Sequence, residues 1–164
     1  MVNIVLVSHS KKLADGVAEM VKQMTASESV KIQSAAGIGE DNQELGTNAM
    51  EIMQAIESVY SEDGVLVLMD LGSAILSTEM ALDLLSEEVQ ANVRVCPAPF
   101  VEGAIASAVQ AGLGSDLRTV YNDAMQALRL KTDQLSDEMD NAPQAQPIIE
   151  TKEEQADHKR EVTL

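Results

Sequence analysis

The sequence predicts an α/β fold with helices covering both faces of a parallel sheet, on three observations. Four short, β-branched stretches are spaced so that one or more helical segments fit after each. The intervening segments carry apolar residues at helical spacing. Two of the four strands are apolar almost throughout, as strands covered on both faces must be.

The strands read as "VNIVLV" (2–7), "VKIQSA" (30–35), "GVLVLM" (64–69) and "NVRVC" (92–96). The first and third are the apolar ones and are expected to be central. Helices are expected over 11–24, with Leu13, Val17, Met20, Val21 and Met24 on one face, and over 47–60, with Met50, Met53, Ile56 and Tyr60. A third spans 74–86, with Ile75, Met80, Leu82 and Leu85 facing the core. "GAIASAVQAG" and "SDLRTVYNDAMQALRLKTDQL" read as two more, separated at Gly112 to Gly114. Alternation of strand and helix implies right-handed crossovers and a ligand site at the carboxyl ends of the central strands.

Composition narrows the possibilities. With 164 residues, 45% of them hydrophobic, the chain can build one core of ordinary size. Only 2% of residues are aromatic and none is tryptophan, so platforms for stacking bases are missing. A formal net charge of −16 opposes nucleic acid or an anionic membrane as partner. Cys96, the single cysteine, has no partner for an intramolecular disulfide. No run approaches a membrane span, and the first residues enter a strand pattern without the marks of a signal peptide. A cytoplasmic protein is expected.

The acidity is uneven. Residues 133–164 hold nine of the 27 acidic side chains but only three of the 11 basic ones, and include Pro143, Pro147 and the run "NAPQAQPIIETKEEQ". Such a stretch buries too little apolar surface to offset its ordering entropy. We expect one folded domain over 1–133 and a disordered acidic linker over 134–158, in which His158 reads as a solvated bystander. The closing residues 159–164, which turn to strand formers at Val162 to Leu164, read as the possible start of a further domain.

Two residues carry the chemistry. His9, in "SHS", follows the first strand, and Asp70, in "MDLGSA", ends the third. If those strands are neighbours, both side chains emerge on one sheet edge. The carboxylate would then take the imidazole Nδ1 proton and leave Nε2 as acceptor or nucleophile. Helix starts near Ser10 and Ser73, with Gly72 beside it, and Thr47 after "AAGIGEDNQELG", offer backbone N–H groups to an anion. Each part has a structural reading too: a loop histidine, a turn aspartate, and residue types that helix starts favour anyway. No G-x-x-x-x-G-K-[ST] or G-x-G-x-x-G motif is present, so nucleotide binding by the chain itself is unsupported. Nor does an arginine flank His9 to clamp a free phosphomonoester. A site that takes phosphate on histidine yet holds no small substrate suits relay between proteins. Leu71 and Ile75 read as an apolar collar to it, and Met69 as core.

Four blocks, "VNIVLVSHSKKLADGV", "AAGIGEDNQELGTNA", "VLVLMDLGSAILSTEMAL" and "RVCPAPFVEGAIAS", occur in an order that closely resembles the DhaM family, phosphotransfer subunits of phosphoprotein-dependent dihydroxyacetone kinases. The resemblance implies a mannose-type EIIA-like domain, a three-layer sandwich on a four-stranded parallel sheet of order 2-1-3-4 that forms a homodimer. It implies that the carrier protein HPr phosphorylates His9, with Asp70 as supporting carboxylate and Ser73 and Gly72 at the next helix start. His9 would then phosphorylate ADP held, with its magnesium, on the subunit DhaL, for delivery to dihydroxyacetone on DhaK, and the chain itself would bind no cofactor. Mannose-type domains add an antiparallel strand after the fourth strand, whereas residues 100–132 here read as helices. Two other functions fit the same residues: a IIA domain donating to a sugar-specific IIB domain, and a non-catalytic dimeric regulatory module. The "VEGAIAS" block speaks against the first.

Overall fold

The computed structural model describes the backbone of residues 1–141 and the side chains of residues 1–135. In chain order the strands are β1 (Asn3–Ser8), β2 (Ile32–Ala36), β3 (Val65–Met69) and β4 (Val93–Cys96). The helices are α1 (Lys11–Met24), α2 (Ala49–Val59), α3 (Ala74–Asp83), α4 (Glu87–Ala91), α5 (Phe100–Gly112), α6 (Leu117–Met125) and α7 (Arg129–Asn141). A 3-10 turn, Glu40–Asn42, sits between β2 and α2. Residues Met1–Leu130 form one compact unit. A second unit, Lys131–Leu164, is described only to Asn141, as the continuation of α7, which therefore starts the stretch expected to be linker as a helix. The rest of that stretch, His158 and 159–164 lie outside the described residues.

The sheet is parallel throughout, in the order β2-β1-β3-β4. Every residue of β1 and β3 is buried, and these are the two inner strands. Their side chains alternate between two cores. Ile4 and Leu6 join Leu66, Leu68, Val17, Val21 and Ala108 on one side; Val5 and Val7 join Val67, Met69, Ile52 and Ile56 on the other. Each fully buried Val, Ile or Leu contributes roughly 1.5–3 kcal/mol, so this pair of strands anchors the domain. Asn3 is the one polar residue among the interior positions of the first strand pattern, and both ends of its amide are hydrogen-bonded. Its Nδ2 donates to the Val59 carbonyl at 2.7 Å and its Oδ1 accepts from the Lys31 N–H at 2.9 Å.

The helix faces depart from the expected stripes. In α1 the buried residues are Ala14, Val17 and Val21, while Leu13, Met20 and Met24 are exposed. In α2, Ile52, Ala55, Ile56 and Val59 are buried and Met50 is exposed; in α3, Ala74, Thr78 and Ala81 are buried while Ile75 and Met80 are not. Small residues let a helix lie close on the sheet, and the larger side chains are then turned outward. The long helix expected over 115–135 is broken. Residues 126–128 turn through i→i+3 bonds, Ala127 to Ala124 and Arg129 to Gln126, with neither Gly nor Pro present. Ser86 caps the short α4, accepting from the Val89 N–H at 3.3 Å, after α3 has ended at Asp83. The segment after β4 is helical, as its sequence indicates, and among the described residues no antiparallel strand joins the sheet.

Candidate active site

The chain leaves β1 toward β2 on one side and returns to β3 on the other, so the crevice outside the carboxyl ends of β1 and β3 is the switch point of the sheet. The Asp70 N–H donates to the Val7 carbonyl at 3.1 Å, carrying the β1–β3 ladder one step past Met69. This places Asp70 beside the residues that follow Val7. Its Oδ2 accepts from the His9 backbone N–H at 3.0 Å and from the Ser8 hydroxyl at 2.9 Å. Its Oδ1 lies 3.0 Å from His9 Nδ1 and accepts from the Leu71 N–H at 2.7 Å. Both carboxylate oxygens are thus doubly engaged.

Burial by itself would push the Asp70 carboxyl up; the hydrogen bonds from the His9 backbone, the His9 ring, Ser8 and Leu71 outweigh it and hold the group below the usual carboxylate range. An ionised Asp70 makes Nδ1 the protonated ring nitrogen and leaves a lone pair on Nε2. That atom faces the Ser73 hydroxyl at 2.9 Å, which donates to it. The imidazole is 24% exposed and the Asp70 side chain 10%. The ring is open to an incoming group while its partner is sheltered.

Loop and helix starts complete the surroundings. The Ser8 carbonyl accepts from the Gly37 N–H at 3.3 Å and the His9 carbonyl from the Gly46 N–H at 2.9 Å, so the segment between β2 and α2 holds the backbone of the histidine. Gly37 has φ +75°, and a Cβ there would meet the Asn42 carbonyl oxygen at 2.2 Å; only glycine fits. Ser10 caps α1, its hydroxyl accepting from the Leu13 N–H at 3.2 Å. Ser73 makes no cap bond, which leaves its hydroxyl for His9. Among the described residues no hydrogen bond engages the N–H groups of Gly72 or Ser73. A Cβ at Gly72 would meet nothing within 4 Å.

The structure therefore brings His9, Asp70 and Ser73 together directly and sets Gly72 alongside. Ser10 is near in sequence but occupied as a cap. The Thr47 hydroxyl is engaged with Ser77 at 2.7 Å. Leu71 and Ile75 are exposed beside Asp70, and Met69 is core. Ser8 is the member that sequence reasoning passed over. It is fully buried, donates to Asp70 and accepts from the Ser10 N–H at 3.0 Å. A lone hydroxyl closing an otherwise apolar strand is the signal that marks it, because a buried hydroxyl needs a partner.

A parallel α/β domain with a histidine and a carboxylate paired at its switch point is a phosphotransferase-type arrangement. The chain belongs to the EIIA-man family, PTS system fructose IIA component, whose sequence profile matches residues 3–121. It is similar to proteins named as DhaM, phosphoryl donor subunit of PEP-dependent dihydroxyacetone kinase. The Escherichia coli protein is 53% identical over 135 residues, covering 82% of this chain. A second such protein, from Listeria innocua, is 43% identical over 110 residues, covering 67% of this chain and 86% of its own length. The chain spans only 29% of the length of the Escherichia coli relative. A crystal structure of EF1359, a protein of unknown function, superposes with a TM-score of 0.68 at 43% identity, covering 76% of this chain and 93% of the other.

Proposed function

We propose that this chain is a phosphohistidine carrier of a DhaK-DhaL-DhaM system, accepting a phosphoryl group from HPr on His9 and passing it to ADP bound on DhaL. The observation that carries the reading is the ring geometry: Nδ1 held by Asp70 at 3.0 Å, Nε2 open at the rim with the Ser73 hydroxyl 2.9 Å away. The names of the relatives, phosphoryl donor subunits, point the same way. The nucleotide and its magnesium belong to the partner.

In the first step the Nε2 lone pair attacks phosphorus, the Nε2–P bond forms and the bond to the donor's nitrogen breaks. Positive charge develops on the ring and is stabilised by the Asp70 carboxylate at Nδ1. The Ser73 hydroxyl, released from Nε2, turns to a phosphoryl oxygen, and the free N–H groups of Gly72 and Ser73 supply further donors. In the second step a terminal oxygen of ADP attacks, and Nε2 leaves with its electron pair. Among the described residues no arginine is hydrogen-bonded to His9, Asp70 or Ser73, which suits a carrier that must release as readily as it accepts.

A homodimer in the cytoplasm is part of this proposal. Supporting it, α3 and its approach expose Leu71, Leu76, Met80 and Leu84, and no helix of the described residues is long and apolar enough to cross a membrane. The test is incubation with radiolabelled phospho-HPr, then with DhaL carrying ADP, DhaK and dihydroxyacetone. Label is expected on the chain, then in ATP, then in dihydroxyacetone phosphate. Failure to take label, or delivery to a sugar-specific IIB domain in preference to ADP, overturns the reading.

A further inference from the structure

The Thr47 and Ser77 hydroxyls, 2.7 Å apart, connect the β2–α2 loop to the helix that presents Ser73. Ser73 and Ser77 are one turn apart and lie on the same side of that helix. Gly46, the neighbour of Thr47, donates its N–H to the His9 carbonyl at 2.9 Å. The contacts close a circuit that leaves His9 at its carbonyl, runs through Gly46, Thr47, Ser77 and α3, and returns through Ser73 to Nε2 at 2.9 Å. As far as Ala81, α3 buries only Ala74, Thr78 and Ala81 and turns Ile75, Leu76 and Met80 outward; its first large apolar contact with the core is Leu82, near the end far from the site. Small side chains resist rotation of a helix about its axis poorly. The Thr47–Ser77 bond supplies that resistance at the turn next to the site.

We propose that Thr47 and Ser77 are positioning residues, whose hydroxyl pair sets the rotation of α3 and thereby holds the Ser73 hydroxyl on His9 Nε2. This rests on the reading of His9 as the phosphorylated residue. Neither side chain is hydrogen-bonded to His9 or Asp70, so each acts through Ser73. Displacement of Ser73 weakens its grip on the transferred group without altering the surface a partner meets first, so the loss falls on the transfer step itself.

The experiment measures His9 phosphorylation by phospho-HPr, at saturating donor and as a function of donor concentration, for Thr47→Val, Thr47→Ser, Ser77→Ala and Ser73→Ala, and for Thr47→Val combined with Ser73→Ala. Thr47→Val and Ser77→Ala are each expected to slow transfer at saturation about tenfold, the scale of a modest misplacement of a reacting group, with KM unchanged. Thr47→Ser, which keeps the hydroxyl, is expected to recover the parent rate within about twofold. In the Ser73→Ala background, Thr47→Val is expected to add nothing. The 15N signal of His9 Nε2 in the unphosphorylated protein reads the same circuit without any partner, and Thr47→Val should move it in the direction that Ser73→Ala does. An unchanged rate and Nε2 signal in Thr47→Val, or an equal fold-loss on top of Ser73→Ala, overturns the proposal. If the parent protein takes no label, the carrier reading fails, and the Nε2 signal still decides the positioning claim.

Discussion

Asp70 holds His9 at two points, through Oδ1 at 3.0 Å from ring Nδ1 and through Oδ2 at 3.0 Å from the backbone N–H. The same carboxylate therefore fixes the position of the residue and the tautomer of its ring. With Ser8 and Leu71 it accepts from four donors, two at each oxygen.

An asparagine cannot do this, since one of its two atoms is itself a donor. Asp70→Asn leaves two donors facing an NH₂ group and withdraws the charge that stabilises the ring cation. We expect phosphoryl transfer to fall by about 10²–10⁴, the range for a lost orienting carboxylate, and stability to fall by about 1–3 kcal/mol for the unpaired donors. Label uptake and urea unfolding check the two effects separately; unchanged uptake would reduce Asp70 to a turn residue.

His9→Ala should abolish label uptake while changing the thermal midpoint little, because the contact to Asp70 through the backbone N–H survives the substitution. Labelling that persists in this variant would move the nucleophile elsewhere.

Ser8→Ala removes one donor to Asp70 and strands the Ser10 N–H at the start of α1. The expected loss is about 1–3 kcal/mol of stability with a smaller effect on transfer than Asp70→Asn, since the ring contact remains. Equilibrium unfolding beside label uptake tests the ordering.

The pair His9 and Asp70 is legible in the sequence because each lies just past a strand buried on both faces, and β-strand ends in a parallel sheet are where such groups converge. Ser8 leaves only a faint signal, a hydroxyl closing an apolar run, which gains its meaning once the Asp70 carboxylate is placed against it. The inner position of β1 and β3 rests on the same apolar runs, whereas the full order β2-β1-β3-β4 is implied only by the family resemblance. The helix faces mislead, because Leu13, Met20 and Met80 dominate any reading by side-chain size, whereas contact with the sheet selects Ala14, Ala74 and Ala81. The break between α6 and α7 carries no Gly or Pro and depends on i→i+3 bonding that composition does not announce.

The lowered Asp70 pKa has a definite sign in stability. A carboxyl whose folded value lies below its unfolded one contributes stability that is complete above the ordinary aspartate value of about 3.9 and is lost as pH falls through the folded value. The gap in urea midpoint between the parent protein and Asp70→Asn should therefore be constant above about pH 5 and narrow on acidification. A gap independent of pH down to the lowest folded condition would mean that folding does not shift the Asp70 carboxyl.

Two glycines beside the site separate a structural requirement from a chemical one. Gly37 combines a left-handed φ of +75° with a Cβ position only 2.2 Å from the Asn42 carbonyl oxygen, so Gly37→Ala must displace the loop that holds the Ser8 and His9 carbonyls. Stability should drop by more than the usual 0.4–1 kcal/mol scale of glycine effects, ~2 kcal/mol or above, and label uptake should fall with it. Gly72 has no left-handed φ and nothing within 4 Å of the place a methyl would take, so Gly72→Ala should leave stability unchanged or raise it by about 0.4–1 kcal/mol. Its methyl would nevertheless stand beside Ser73, where the phosphoryl group is expected to approach, and transfer should slow while the thermal midpoint holds. Normal transfer in Gly72→Ala would show that the group does not pass over Gly72, and would leave Ser73 as the element of the α3 start that meets it.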